Sequence, residues 1–114
     1  MDQTRAIDAF AALAQPTRVA VFRLLVREVP GSLPALEIAR RLDVVPSTLS
    51  AHLATLRRAG ILTSTRHQKE IRYAADLGAV NALVGFLLAD CCGGRTENCA
   101  EILSLLGKSD ASCG

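Results

Sequence analysis

Four cysteines carry the most distinctive chemistry in this 114-residue chain, and all lie in its final quarter: Cys91, Cys92, Cys99 and Cys113. Adjacent Cα atoms are about 3.8 Å apart, whereas disulfides usually need roughly 4.4 Å or more. Cys91 and Cys92 are therefore a poor disulfide. Gly93-Gly94 gives the chain the freedom to bring Cys99 back onto the pair. Soft thiolates select soft ions. Three of them suit a thiophilic ion such as trivalent arsenic, which takes three sulfurs in a pyramid, while structural zinc normally takes a fourth ligand. Two other uses stay open: a Zn, Cd or Pb site completed by another donor, and an oxidation sensor in which Cys99 resolves a sulfenate on Cys91 or Cys92. Cys113 lies one residue from the end, where order is usually lost.

The second chemical feature is a cluster of cations. Arg40, Arg41, Arg57, Arg58, Arg66, Lys69 and Arg72 fall within one third of the chain, opposed there only by Asp43 and Glu70. The net charge of +2 is nearly neutral, so distribution is what matters: a local basic stripe is the usual footprint of a nucleic-acid face. The two histidines, His52 and His67, lie far along the chain from the cysteines. With no paired carboxylates, phosphate loop or Cys-His arrangement in the sequence, an enzyme is not expected.

The elements that must position these groups read mainly as helices. Residues 4–14 carry Ile7, Phe10, Ala11 and Ala14 at helical spacing, with Thr4 as N-cap. Pro16 suits the first turn of a second helix whose apolar face is Val19, Phe22, Leu25 and Val26, ending at Val29-Pro30-Gly31. Ser32 caps a third, with Pro34 in its first turn and Leu36, Ile38, Ala39 and Leu42 inward. After the link Asp43-Val44-Val45, a fourth helix begins at Pro46. Leu49, Leu53 and Leu56 at i, i+4 and i+7 line its core face, and Gly60 ends it. Ser47, Thr48, Ser50, Ala51, His52 and Thr55 are left elsewhere on its surface. Two short helices, a tight turn and small polar residues near the second N-terminus describe a helix-turn-helix, whose second helix can enter a major groove.

A hairpin follows, with strands over 61–66 and 70–75 and His67-Gln68-Lys69 at its tip. A basic hairpin directly after a helix-turn-helix is a wing able to reach phosphates or the minor groove. The final helix, from Leu77 to about Ala89, is apolar nearly all round and needs burial on more than one side. A partner subunit is the simplest source, so this helix and the first are expected to build an isologous dimer interface.

Residues 5–89 resemble the ArsR/SmtB family of bacterial winged-helix repressors. Ala14-Gln15-Pro16-Thr17-Arg18 with Leu24-Leu25 looks like the family's opening. Ser47-Thr48-Leu49-Ser50-Ala51-His52-Leu53 and Leu56-Arg57-Arg58-Ala59-Gly60-Ile61-Leu62 look like its recognition helix and strand entry, and Arg66 and Tyr73 fit its wing. The resemblance implies a ligand-free dimer that represses and an inducer that releases DNA. Residues 36–41 lack the Cys-x-Cys pair of many arsenical sensors, positions 77–89 lack the Asp and His of zinc and nickel sensors, and Pro46 stands where glutamine is common. The segment after the last helix is similar to a C-terminal arsenite site of some members, a Cys-Cys pair with a third cysteine nearby. That resemblance assigns Cys91, Cys92 and Cys99 to As(III), with Sb(III) as a second inducer.

The expected protein is thus mainly α with a small β-hairpin, a winged helix-turn-helix of order α-α-α-α-β-β-α, working as a homodimer. Residues 1–90 form the DNA-binding and dimerisation domain and 91–114 a cysteine-bearing tail. The partner is double-stranded operator DNA, contacted by Ser47, Thr48, Ser50, Ala51, His52, Thr55, Arg57, Arg66, Lys69 and Arg72. The polar N-terminus has no signal-peptide core, and the apolar stretch near 79–89 is too short to span a bilayer, so a cytoplasmic location and no membrane partner are expected.

Overall fold

In the computed structural model, which describes residues 1–88, the chain forms α1 (Gln3–Leu13), α2 (Pro16–Glu28), β1 (Leu33–Pro34), α3 (Ala35–Leu42), α4 (Pro46–Arg58), β2 (Leu62–His67), β3 (Glu70–Ala75) and α5 (Leu77–Leu88). The strands make one antiparallel sheet in the order β1-β3-β2. All five expected helices and the hairpin are present. The third strand was not expected: Leu33 pairs with Tyr73 and Pro34 with Arg72, across roughly 40 residues of chain that carry no local sign of the pairing.

Local chemistry explains most boundaries. The N-cap of α1 is Asp2 rather than Thr4, its carboxylate accepting from the Arg5 N–H at 2.8 Å. Gln15 accepts from the Arg18 N–H at the start of α2, where Pro16 needs no amide partner. Asp76 accepts from the Ala79 N–H and so opens α5. Gly60, at φ 86°, closes α4 in a left-handed conformation that glycine adopts freely. There the Gly60 N–H reaches the Arg57 carbonyl and the Ile61 N–H reaches that of Leu56, the paired bonds of a Schellman motif. Ile61 and Leu56 are both fully buried, so the same motif anchors the strand entry to the core.

The core gathers Val21, Leu24 and Leu25 of α2, Ile38 and Ala39 of α3, Leu49, Leu53 and Leu56 of α4, and Ile61 and Leu62. The contribution of α1 is a surprise. Its buried residues are Ala6, Ala9 and Ala12, while Ile7 and Phe10 are exposed. Small alanines let α1 approach its neighbours closely, and the bulkier apolar stripe is left facing out. Two further residues of expected core faces, Val19 and Val26, are also exposed, and Leu36 is 70% exposed at the start of α3. Leu36 stands outward because α3 starts at Ala35 and turns Ile38 and Ala39 to the core. Leu83 is the buried residue of α5, with Leu77 and Leu87 open to solvent. No single helix among the described residues is long and apolar enough to cross a membrane.

Candidate nucleic-acid interface

The candidate recognition surface is built on α4. Leu49, Leu53 and Leu56 are at most 1% exposed, which fixes the rotation of the helix about its axis. Ser47, Thr48, Ser50 and Ala51 are exposed, as is Ala54. Ser47, Ala51 and Ala54 form one outward row at helical spacing. Ala54 was not singled out from sequence, although its offset from the leucines was enough to place it there. No side chain caps the first turn of α4, where Val45 is the N-cap and Pro46 the first helical residue. The positive end of the helix therefore faces outward without a competing acceptor.

His52 and Thr55 are half-buried, and the Thr55 hydroxyl donates to the Ala51 carbonyl at 3.1 Å. Arg57 is exposed and donates from Nε to the Ser64 hydroxyl on β2 at 3.3 Å. That bond ties the end of α4 to the wing. At the tip, the two-residue turn is Gln68-Lys69, with His67 paired to Glu70, so His67 belongs to β2 rather than to the loop. Gln68 takes φ 57°, and Arg66 donates from Nε to its carbonyl at 3.1 Å. Lys69 is exposed at the turn.

Arg72 sits differently from the other cations. It is half-buried, donating from Nε to Ser32 Oγ at 3.0 Å and from Nη2 to the Ser32 carbonyl at 2.8 Å. Its Nη1 pairs with Glu70 at 3.2 Å. Ser32 therefore does not cap α3, whose N-cap is Pro34; its side chain serves the wing instead.

On α3, Glu37 binds both Arg40 and Arg41, and Arg41 also reaches Glu28 of α2 at 3.0 Å. The bonds from Arg40 and then Arg41 hold the Glu37 carboxyl down to about 2, from an ordinary value of 4.5. The same contacts raise both guanidinium groups further above their usual range. Because the folded value is depressed, this cluster supports folding fully above pH about 4.5 and loses its contribution as pH falls through about 2. In Glu37→Gln, the thermal midpoint should fall slightly below wild type at pH 7, and the gap should close between pH 4.5 and 2. A gap constant with pH would mean that the ion cluster contributes nothing, as many exposed pairs do.

The cysteine trio Cys91, Cys92 and Cys99 lies outside the described residues, as do Cys113 and the domain boundary placed at 90/91. Among the described residues no three His, Cys, Asp or Glu side chains gather closely enough to hold a metal ion.

Four helices with a helix-turn-helix at α3–α4, a β-hairpin wing beside it and a closing helix define a winged helix-turn-helix protein. Residues 13–65 match the family model of a helix-turn-helix domain. Among solved structures the chain is similar to an ArsR-like transcriptional regulator from Rhodococcus sp. RHA1, at 25% identity over 92% of this chain and 95% of that one, with a TM-score of 0.69. It is also similar to the transcriptional regulator HlyU from Vibrio vulnificus CMCP6, at 27% identity over 78% and 90% of the two chains and a TM-score of 0.58. A homodimeric winged helix-turn-helix DNA-binding domain from Mycobacterium bovis, a possible ArsR-family regulator, aligns at 23% identity over 76% and 81%, with a TM-score of 0.61. No curated protein matches the chain in sequence. The helix-turn-helix domain and the fold that the chain shares with these regulators are not those of an enzyme.

Proposed function

We propose that the protein is a homodimeric repressor that holds operator DNA through α4 and the wing, and releases it when As(III) is bound by Cys91, Cys92 and Cys99. The observation that carries the DNA-binding reading is the rotation of α4. Its three leucines are sealed in the core, so Ser47, Thr48, Ser50 and Ala51 must face out beside a cationic hairpin. Small side chains let the helix backbone approach base edges, and Lys69 and Arg66 are the wing cations that would meet phosphates.

The homodimer is supported by what the fold leaves uncovered. Ile7 at 55%, Phe10 at 39% and Leu87 at 52% exposure stand on α1 and α5, the first and last helices of the described residues, which pack on each other. A second copy would cover them and set two recognition helices on successive major grooves. A cytoplasmic location follows from this reading.

For the inducer, support comes from donor chemistry and chain position. Three soft thiolates fit As(III) or Sb(III), and Cys91 follows the last described residue of α5 by only three positions. As(III) would supply a centre that takes three sulfurs at once. Closing Cys99 onto Cys91 and Cys92 pulls at the end of an interface helix and alters the spacing of the recognition helices. A coupling of about 1–3 kcal/mol lowers operator affinity roughly 5- to 150-fold.

The test is arsenite titration of the protein on a labelled duplex from upstream of its own gene, read by fluorescence anisotropy under reducing conditions. Release near one or two equivalents per dimer is expected. Cys99→Ser should bind the duplex as tightly as wild type and no longer release it. Release of that variant at wild-type arsenite concentrations would remove the three-sulfur site. Release only by a divalent metal or an oxidant would reassign the same thiols.

A further inference from the structure

The wing of a DNA-binding fold is useful only if its angle to the recognition helix is held, because a loose hairpin loses its own ordering entropy on binding. Three groups around the first half of β3 bear on that angle. Arg72 spends its Nε and Nη2 on the hydroxyl and carbonyl of Ser32 and its Nη1 on Glu70. Ser32 lies in the connection between α2 and α3, just before β1, and the next two residues pair with Tyr73 and Arg72 themselves. The guanidinium fork thus fastens the returning strand of the wing to the helical body at the point where main-chain pairing is only two residues long. On the other strand, Arg57 of α4 donates to Ser64. An arginine–serine bond ties one strand of the hairpin to α4 and the other to the α2–α3 connection.

We propose that Arg72 is a positioning residue that braces the wing through Ser32, and is not itself a phosphate contact. This rests on the DNA-binding reading above for its consequence, but the brace itself can be measured without DNA. Arginine suits the role because its planar fork engages two acceptors of one residue together, which a lysine ammonium on a flexible stem does not reproduce. Its half-buried position beside a carboxylate also leaves little of its charge for a phosphate.

Three variants separate the two roles: Ser32→Ala removes the hydroxyl acceptor without touching any charge, Arg72→Lys keeps the charge and loses the fork, and Lys69→Ala removes a free wing-tip cation. Amide hydrogen exchange of the free protein should quicken over residues 62–75 in Ser32→Ala and Arg72→Lys, and stay at the wild-type rate in Lys69→Ala. On the promoter duplex, the first two should bind about fivefold more weakly, on the order of one lost hydrogen bond, with the salt dependence unchanged. Lys69→Ala should instead flatten the plot of log affinity against log salt by about 0.9, the loss of one neutralised phosphate. Wild-type exchange in both brace variants would overturn the proposal. So would an Arg72→Lys protein that binds like wild type while Arg72→Ala loses about one unit of salt slope. If wild type fails to bind the duplex at all, the function is misread, while the exchange rates still decide the brace.

Discussion

Leu53→Ala should destabilise the protein by about 2–5 kcal/mol, the range for emptying a buried leucine site. The residue is 1% exposed, sits midway along α4 and belongs to the central cluster with Leu49, Leu56 and Ile61. Against a total stability of about 5–15 kcal/mol for a domain of this kind, such a loss lowers the thermal midpoint by roughly 10 °C or more. DNA affinity should fall with it, because the same leucines set the rotation that points Ser47 and Ala51 outward. Leu36→Ala is the matched comparison. From sequence, both leucines belong to inward faces of the helix-turn-helix, yet Leu36 is 70% exposed, and its truncation should cost no more than about 0.5 kcal/mol. Thermal unfolding of the two variants side by side checks the packing directly. Equal losses would mean that α3 is rotated from the arrangement described here.

Leu87→Glu and Ile7→Glu, made separately, should each split the proposed dimer while leaving the subunit folded. Both side chains are more than half exposed in the single chain, so a carboxylate there costs the isolated subunit little. Pressed into an apolar interface between two copies it would be an unpaired buried charge, which is strongly unfavourable. The loss of operator affinity should be large, because two half-sites are read by one body only when the subunits are joined. Uncoupling them removes an avidity of about 10²–10⁴. Sedimentation velocity would show the monomer and circular dichroism the retained helices, with anisotropy on the promoter duplex giving the affinity. A variant that remains dimeric with full affinity would place the subunit contact elsewhere than on α1 and α5.

These two results bear on different layers of information. The i, i+4, i+7 leucines of α4, the glycine that stops it and the bounds of the two hairpin strands are local patterns, and the structure reproduces them nearly residue for residue. The run of three small or polar residues at 47, 48 and 50 was legible for the same reason: once the buried face of a helix is known, its outward face follows from 3.6-residue periodicity. The cysteine spacing is likewise a property of the chain alone, and it carries the inducer proposal.

Tertiary packing decided what periodicity leaves degenerate. Helix α1 carries two apolar stripes, one of alanines and one with Ile7 and Phe10. Their spacing cannot say which one turns inward; the close approach of neighbouring helices selected Ala6, Ala9 and Ala12. Ser32 reads as a helix cap because serine before a helix usually is one. It became the anchor of Arg72 only because β1 pairs with a strand about 40 residues away, a contact with no local signature. A cation in a basic stripe looks equally free wherever it falls in the sequence. Only the folded arrangement of hydrogen-bond acceptors divides Lys69, open at the wing tip, from Arg72, engaged midway along β3 where β1 pairs with it.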